Sequence, residues 1–284
     1  MSTNDTTEAT EQAPVHTATS VDGTSIAYEA YGTGPAAVIV GGAFCDRGAF
    51  RELAQALGER GFTGVTYDRR GRGDSTDTQP YAAGREFEDL AAVLGAAGSE
   101  SVARAGAPAY VHGISSGGAL VLGALAAGVP ITRASVLETP YRIEGSPPAP
   151  DDYIGTLDRL GAAGDHEGIL RFFHTKAVGL PEEMLDGMRG TPMWDAMLAM
   201  APTVVYDGHV LGGDDQSLPT GMLASITVPV LSIDSTGTPI PFLRAAAAQV
   251  AAAIPQGRHV SLEGGFHEVP TATLAPALAE FYTT

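Results

Sequence analysis

A serine hydroxyl becomes a useful nucleophile only when a base within hydrogen-bond reach takes its proton. Histidine is the usual base, because it titrates near neutral pH. One stretch of this 284-residue chain presents such a serine: Val111-His112-Gly113-Ile114-Ser115-Ser116-Gly117-Gly118. An apolar run, Ala107 to Val111, precedes it and reads as a buried strand; the Ala/Leu-rich run Ala119 to Gly128 follows and reads as a helix. Strand, tight Gly-x-Ser-x-Gly turn and helix together form a nucleophile elbow. Gly113 and Gly117 have no side chains to hold strand and helix apart. Ser115 then stands at the turn apex, with the Ser116 N–H at the N-terminus of the next helix, where the dipole favours negative charge. That arrangement suits attack on a carbonyl.

The chain has seven histidines. His112 lies on the elbow strand and reads as packed; His16 lies near the N-terminus; His166, His174 and His209 fall in a helical stretch; His259 begins the last strand. His267 lies in the loop Leu262 to Glu268 after that strand, at the sheet edge where the elbow emerges, and is the candidate base. A carboxylate must hold its tautomer and stabilise the imidazolium. Two positions compete. Glu138 closes the apolar strand Ile131 to Glu138, and a lone buried carboxylate there is costly unless paired. Asp234 follows the strand Val228 to Ile233 and opens the turn Asp234 to Pro239. The reading favours Glu138 over Asp234. An oxyanion needs two N–H donors: Ser116 is one, and Ala43, in the loop Gly41-Gly42-Ala43-Phe44, is the expected second, with Phe44 next. That loop lacks the Lys-Ser/Thr and the glycine spacing of a phosphate loop. Cys45 has no activating partner nearby in sequence and reads as a small packed residue. The turn Asp68 to Ser75 is charged, and its arginines read as structural ion pairs around the site.

The elements that must position these groups alternate. Val15–Thr19 and Thr24–Tyr31 read as a hairpin around Asp22-Gly23. Ala36–Val40 is an all-apolar strand of the kind buried on both faces of a parallel sheet. A helix follows at Phe50–Arg60, a strand at Thr63–Tyr67, and a helix at Arg85–Gly95. After the elbow come the strands ending near Glu138 and Ile233, a helix at Pro241–Ile254, a strand at Arg258–Leu262 and a closing helix at Thr273–Phe281. The pattern predicts an α/β fold: a mostly parallel twisted sheet flanked by helices, with helices inserted between the sixth and seventh strands. The domains are expected as a disordered tail over 1–14, a core over 15–145 and 226–284, and a helical cap over 146–225. The insertion reads as a cap over Ser115, because sites in open α/β sheets form at the carboxyl ends of strands; a dimerisation surface or mere elaboration of the fold are the other readings. Phe172, Phe173, Met193, Trp194, Met197 and Met200 are its candidate pocket residues, or else its own core.

A net charge of −17 argues against nucleic acid or anionic membranes as partners. A lone cysteine excludes an internal disulfide framework. No run reaches the length of a membrane span, and the first residues lack the pattern of a signal peptide, so a cytoplasmic protein is expected.

Four segments carry a resemblance to the α/β-hydrolase fold superfamily over nearly the whole chain after the tail. Gly113 to Gly117 resembles its elbow; Tyr67 to Ser75 its Asp-x-Arg-Gly-x-Gly-x-Ser turn; Ala36 to Phe44 its oxyanion strand and loop; Gly264 to His267 its histidine loop. The chain departs from the pattern at Gly41-Gly42, where many members have His-Gly, and at Thr238, where many have the catalytic Asp. The second departure favours Glu138, since some members carry the acid after the sixth strand. A serine at position 115 is unlike the carboxylate nucleophile of haloalkane dehalogenases and soluble epoxide hydrolases. The resemblance implies a serine hydrolase acting on an ester or similar acyl bond of a small, apolar substrate through an acyl-enzyme, with Ser115, His267 and Glu138 catalytic and Ser116 and Ala43 as the oxyanion hole. It calls for no metal or organic cofactor. A lyase, cyclase or acyltransferase on the same scaffold, or a hydrolase-like binding protein, are the alternatives.

Overall fold

The computed structural model describes residues 13–100 and 108–284, with backbone only at 99 and 100. Most of the expected tail, and the first residue of the expected elbow strand, lie outside the described residues.

Eight strands form one sheet: β1 (His16–Thr19), β2 (Ser25–Tyr31), β3 (Ala36–Val40), β4 (Thr63–Tyr67), β5 (Tyr110–Ile114), β6 (Arg133–Leu137), β7 (Val230–Ser235) and β8 (Gly257–Leu262). Their order is β1-β2-β4-β3-β5-β6-β7-β8. The β1–β2 and β2–β4 pairs are antiparallel, and every other pair is parallel. Strands β3, β4 and β5 are buried along their whole length, as expected where helices cover both faces. Period-two alternation divides β3 between two cores. Val38 and Val40 pack with apolar residues of α2 (Ala83–Glu100) and α3 (Ser116–Ala126), while Ala37 and Ile39 pack with those of α1 (Arg51–Gly58) and α11 (Thr271–Thr283). Helix α3 is buried from Ser116 to Ala124, which suits its apolar surface on every side.

Between β6 and β7 lie α4 (Tyr153–Ala163), α5 (His166–Phe172), a π-helical turn over Phe173–Val178, α6 (Glu182–Met188), α7 (Pro192–Met200), α8 (Val204–Val210) and α9 (Thr220–Ala224). Tyr153, Leu157, Leu170, Trp194 and Val204 form a separate apolar cluster within this insertion. Helix α9, at the end of the inserted stretch, packs instead on α3 and on α10 (Pro241–Ala253), beside the sheet. Among the described residues, no helix is long and apolar enough to cross a membrane.

Candidate active site

Parallel register brings the chemistry to one edge. Ile114 pairs with Leu137, and Leu137 with Ile233. The ladder then runs one residue further on two strands: the Ser115 N–H donates to the Leu137 carbonyl, and the Glu138 N–H to the Ile233 carbonyl, both at 2.9 Å. At each of these residues the chain turns out of the sheet with positive φ, 56° at Ser115 and 46° at Glu138. Phe44 and His267 share that conformation, at 56° and 51°. Non-glycine residues held there cost about 1–3 kcal/mol each and cluster where function requires a fixed side-chain direction. Four of the expected site segments carry one apiece.

Close approach of backbones explains two glycines. A Cβ on Gly117 would lie 2.3 Å from the Val40 carbonyl oxygen, so only glycine lets the elbow helix rest on the β3 loop. A Cβ on Gly42 would lie 2.9 Å from the Ser115 Cβ, so glycine lets that loop pass beside the serine.

Glu138 is fully buried. Its Oε2 lies 2.9 Å from Nδ1 of His267, a close contact that falls short of hydrogen-bond geometry. The His267 backbone N–H donates to the same oxygen at 3.2 Å, and the Ser235 N–H donates to Oε1 at 3.0 Å. The last residue of β7 thus supplies an N–H to the acid that follows the neighbouring strand. Asp234 is elsewhere. Because β7 continues to Ser235, Asp234 stays in the ladder opposite Ser261, and its carboxylate is taken by His259 at 2.6 Å, Arg244 at 2.8 Å and Ser261 at 2.8 Å. Thr238 is uncharged and its hydroxyl is buried without a partner.

His16, His112, His174 and His209 are engaged elsewhere. His112 is buried, with Nδ1 2.8 Å from the Ser135 hydroxyl, and desolvation pushes its pKa down to about 3. His174 contacts the Leu170 carbonyl at 2.9 Å, His209 pairs with Asp158 at 2.8 Å, and His16 stacks on Tyr28.

The N–H groups of Ser116 and Ala43 have no acceptor among the described residues. The carbonyls of the β3 loop are held by arginines. Arg72 donates to the Gly42 carbonyl at 2.5 Å and to Cys45 at 3.3 Å, and Arg69 to Gly41 at 3.3 Å. Both arginines are buried and share one carboxylate, Asp207 of α8. Asp207 also accepts from the Ser116 hydroxyl at 2.7 Å, and Glu86 holds the rest of the Arg69 fork. Burial alone would raise the Asp207 carboxyl, but the two guanidiniums outweigh it and hold it below the ordinary carboxylate value. Asp207 went unnoticed in the sequence. Its signal is an acid in an otherwise apolar helix turn, 138 residues from its Arg69 partner, which spacing does not reveal. The burial of Cys45 pushes its thiol pKa up, consistent with a packed residue.

Ser115 and His267 line one cavity of about 550 Å³. Pro140 and Arg142 after β6, the π-helical turn, Gln216, and Ile240 to Leu243 complete it. Of the six insertion residues expected as pocket candidates, Phe173 lines this cavity; Trp194 is buried in the insertion's own core, and Met193 is exposed. Phe44 touches Phe173 and His174, with ring centroids 5.4 and 4.8 Å apart, so the β3 loop and the insertion meet.

Comparison with known proteins places this geometry. A family model described as the alpha/beta hydrolase family matches residues 37–277. A structure of an alpha/beta hydrolase from Sphaerobacter thermophilus is 44% identical, with a TM-score of 0.82 over 95% of this chain and 100% of that one. An esterase from a Rhodococcus species (21% identity, TM-score 0.62) and an enol-lactonase from Burkholderia xenovorans (20%, 0.63) share the fold, each over 95% of this chain and 98% of theirs. No curated protein matches the chain in sequence.

Proposed function

The chain belongs to the alpha/beta hydrolase family, and on that premise we propose that it is a serine hydrolase cleaving a carboxylic ester or similar acyl bond of a small substrate. The observation that carries the reading is the His267–Glu138 contact at 2.9 Å beside a cavity that Ser115 also lines. With Nδ1 directed at Glu138, the other ring nitrogen of His267 is left for the serine. Ser115 attacks the carbonyl carbon as His267 takes its proton, and the oxyanion accepts from the Ser116 and Ala43 N–H groups. His267 then protonates the leaving alcohol, and an acyl group remains on Ser115. Water, deprotonated by His267, adds to the acyl carbon; the tetrahedral adduct collapses, the acid leaves and Ser115 recovers its proton.

Esterase and lactonase structures sharing the fold are compatible with ester chemistry. The inserted helices act as a cap, a reading supported by Phe173, Lys176 and Val178, which line the cavity that Ser115 also lines. A wall largely of proline and apolar side chains suits a substrate with an apolar body.

A fluorophosphonate probe tests the proposal. Ser115 is expected to be labelled in the wild type, with no labelling in Ser115→Ala and labelling strongly slowed in His267→Ala. An unlabelled wild type overturns the reading; labelling without turnover of any simple ester points to acyl transfer to an acceptor other than water.

A further inference from the structure

The cavity around Ser115 has the opposite charge pattern from the rest of the chain. The sequence carries 33 acidic and 16 basic side chains. Yet no aspartate or glutamate lines this cavity, while Arg142 and Lys176 both do. Lys176 is the only lysine in the sequence. Most arginines of the chain are spent on carboxylates, including the buried Arg69, Arg70 and Arg72. Neither Arg142 nor Lys176 forms an ion pair among the described residues.

Arg142 is also held in place. Its backbone N–H donates to the Gln216 carbonyl at 2.8 Å, and its own carbonyl accepts from the Leu218 N–H at 3.1 Å. Its Nε donates to the Gln216 side-chain oxygen at 3.2 Å, its Nη1 donates to the Pro147 carbonyl, and its guanidinium lies 5.8 Å from the centre of the Phe242 ring. Nη2 makes no hydrogen bond among the described residues. Gln216, buried with φ of 51°, is itself fixed in an unusual conformation. A fork steadied on one side and unsatisfied on the other is built for an anion, because a planar guanidinium matches a carboxylate through parallel N–H donors. Burial pushes the Arg142 pKa down from its ordinary value, with no carboxylate to offset it; a bound anion would supply that offset. Glu144, Asp151, Asp214 and Asp215 line a neighbouring cavity that Arg142 also borders, and none comes within ion-pair distance. They make that side unfavourable for an anion and leave the Ser115 side as the attractive one. Lys176 sits on the π-helical turn, a distortion that re-aims side chains and recurs at functional sites.

We propose that the substrate carries a carboxylate at the end remote from its scissile acyl bond, that Arg142 steadied by Gln216 binds this carboxylate, and that Lys176 adds a second positive charge at the cavity wall. This rests on the serine-hydrolase reading above and adds a substrate class to it: half-esters of dicarboxylic acids, or lactones bearing an acid. Hydrolysis of a half-ester anion adds one water and yields a dicarboxylate, an alcohol and a proton. The apolar stretch between the two ends of the substrate lies against the apolar wall.

The test compares monomethyl glutarate with methyl valerate, which differ by a carboxylate in place of a methyl group, and follows the labelling of Ser115 by a fluorophosphonate in the presence of glutarate or of 1,5-pentanediol. In the wild type kcat/KM is expected to be at least about tenfold higher for monomethyl glutarate. That ratio should fall at least about tenfold in Arg142→Gln and about threefold in Lys176→Gln, whose exposed side chain leaves folding undisturbed. Glutarate should slow labelling of the wild type at concentrations where the diol does not, and lose this effect in Arg142→Gln. A wild-type ratio at or below one overturns the proposal. So does a ratio unchanged in both variants, or, if neither ester turns over, labelling that glutarate does not slow. Failure of the underlying serine-hydrolase reading looks different: Ser115 is then not labelled at all.

Discussion

Two buried carboxylates stand on neighbouring strands, each against a histidine, and only one of them belongs to the candidate site. Glu138 follows β6 and contacts His267 at 2.9 Å; Asp234 lies in β7 and contacts His259 at 2.6 Å. The difference is compensation. Asp234 already has a cation, Arg244, and the Ser261 hydroxyl. Glu138 has two backbone N–H groups and no cation. A carboxylate neutralised by a guanidinium has little field left to stabilise a second positive charge; one held by peptide dipoles keeps its full charge for an imidazolium that forms during catalysis. Asp207 extends the series, with two arginines and a hydroxyl on one carboxylate. A carboxylate–histidine pair is therefore not by itself the mark of a triad; an uncompensated one beside a serine is.

Substitutions that remove charge without changing shape break this comparison most directly. Glu138→Gln is expected to lower kcat by about 10³–10⁴-fold in steady-state ester hydrolysis, with an unchanged circular dichroism spectrum, as when a triad acid loses its charge. A loss of less than tenfold would return the acid role to another group. The next effect is on folding. Asp207→Ala leaves Arg69 and Arg72 buried without their shared carboxylate, and is expected to cost about 3–5 kcal/mol in urea denaturation. It should also lower activity in whatever folded fraction remains, because both arginines fix carbonyls of the β3 loop, whose Gly42 lies against Ser115. Asp234→Asn should do the reverse of Glu138→Gln: a stability loss of about 1–3 kcal/mol from its charged hydrogen bonds, with kcat/KM within about threefold of the wild type.

The smallest effect is the dependence of stability on pH. Burial alone would raise the Asp234 and Asp207 carboxyls, but their cationic and hydroxyl partners outweigh this and hold both below the ordinary aspartate value. Glu29 is held down to about 2 from 4.5, chiefly by Arg51. A folded-state pKa below the unfolded one contributes stability that is complete above the unfolded value and is lost as pH falls through the folded one. Thermal midpoints should therefore be level from about pH 7 to about pH 5 and decline below about pH 4.5. In Asp234→Asn the decline should be shallower, because one of the titrating groups is gone. A slope unaltered by that substitution would show that the Asp234 cluster does not titrate as its geometry predicts.

The legibility of this protein divides along the same line. Strong local signals worked. Gly113 to Gly117 between an apolar strand and an apolar helix marked Ser115 at the turn, since only a side-chain-free crossing lets the helix rest on the β3 loop. The all-apolar run Ala36 to Val40 indicated a strand covered on both faces, and β3 is buried throughout. The choice between Glu138 and Asp234 was narrower. It turned on how far β7 runs: two further residues of ladder, to Ser235, place the Asp234 carboxylate against Arg244 of α10. A sequence does not show where a strand stops to within two residues, because the last ladder bonds depend on the neighbouring strand.

The pocket was legible least. The Met and aromatic residues singled out in the insertion have helical spacing, yet Phe172, Trp194 and Met197 join the insertion's own cluster and do not line the cavity. By itself, then, the sequence determined the candidate serine, the candidate histidine and the alternating architecture, because each is written in contiguous residues whose spacing obeys the local geometry of a turn, a strand or a helix. Only the tertiary structure decided which carboxylate stands behind His267, that Asp207 joins Arg69 and Arg72 beneath the β3 loop, and that Arg142 faces the cavity without an acid of its own. Those outcomes depend on charges brought together from segments far apart in the chain, and a charge at such a site is set by its neighbours in space.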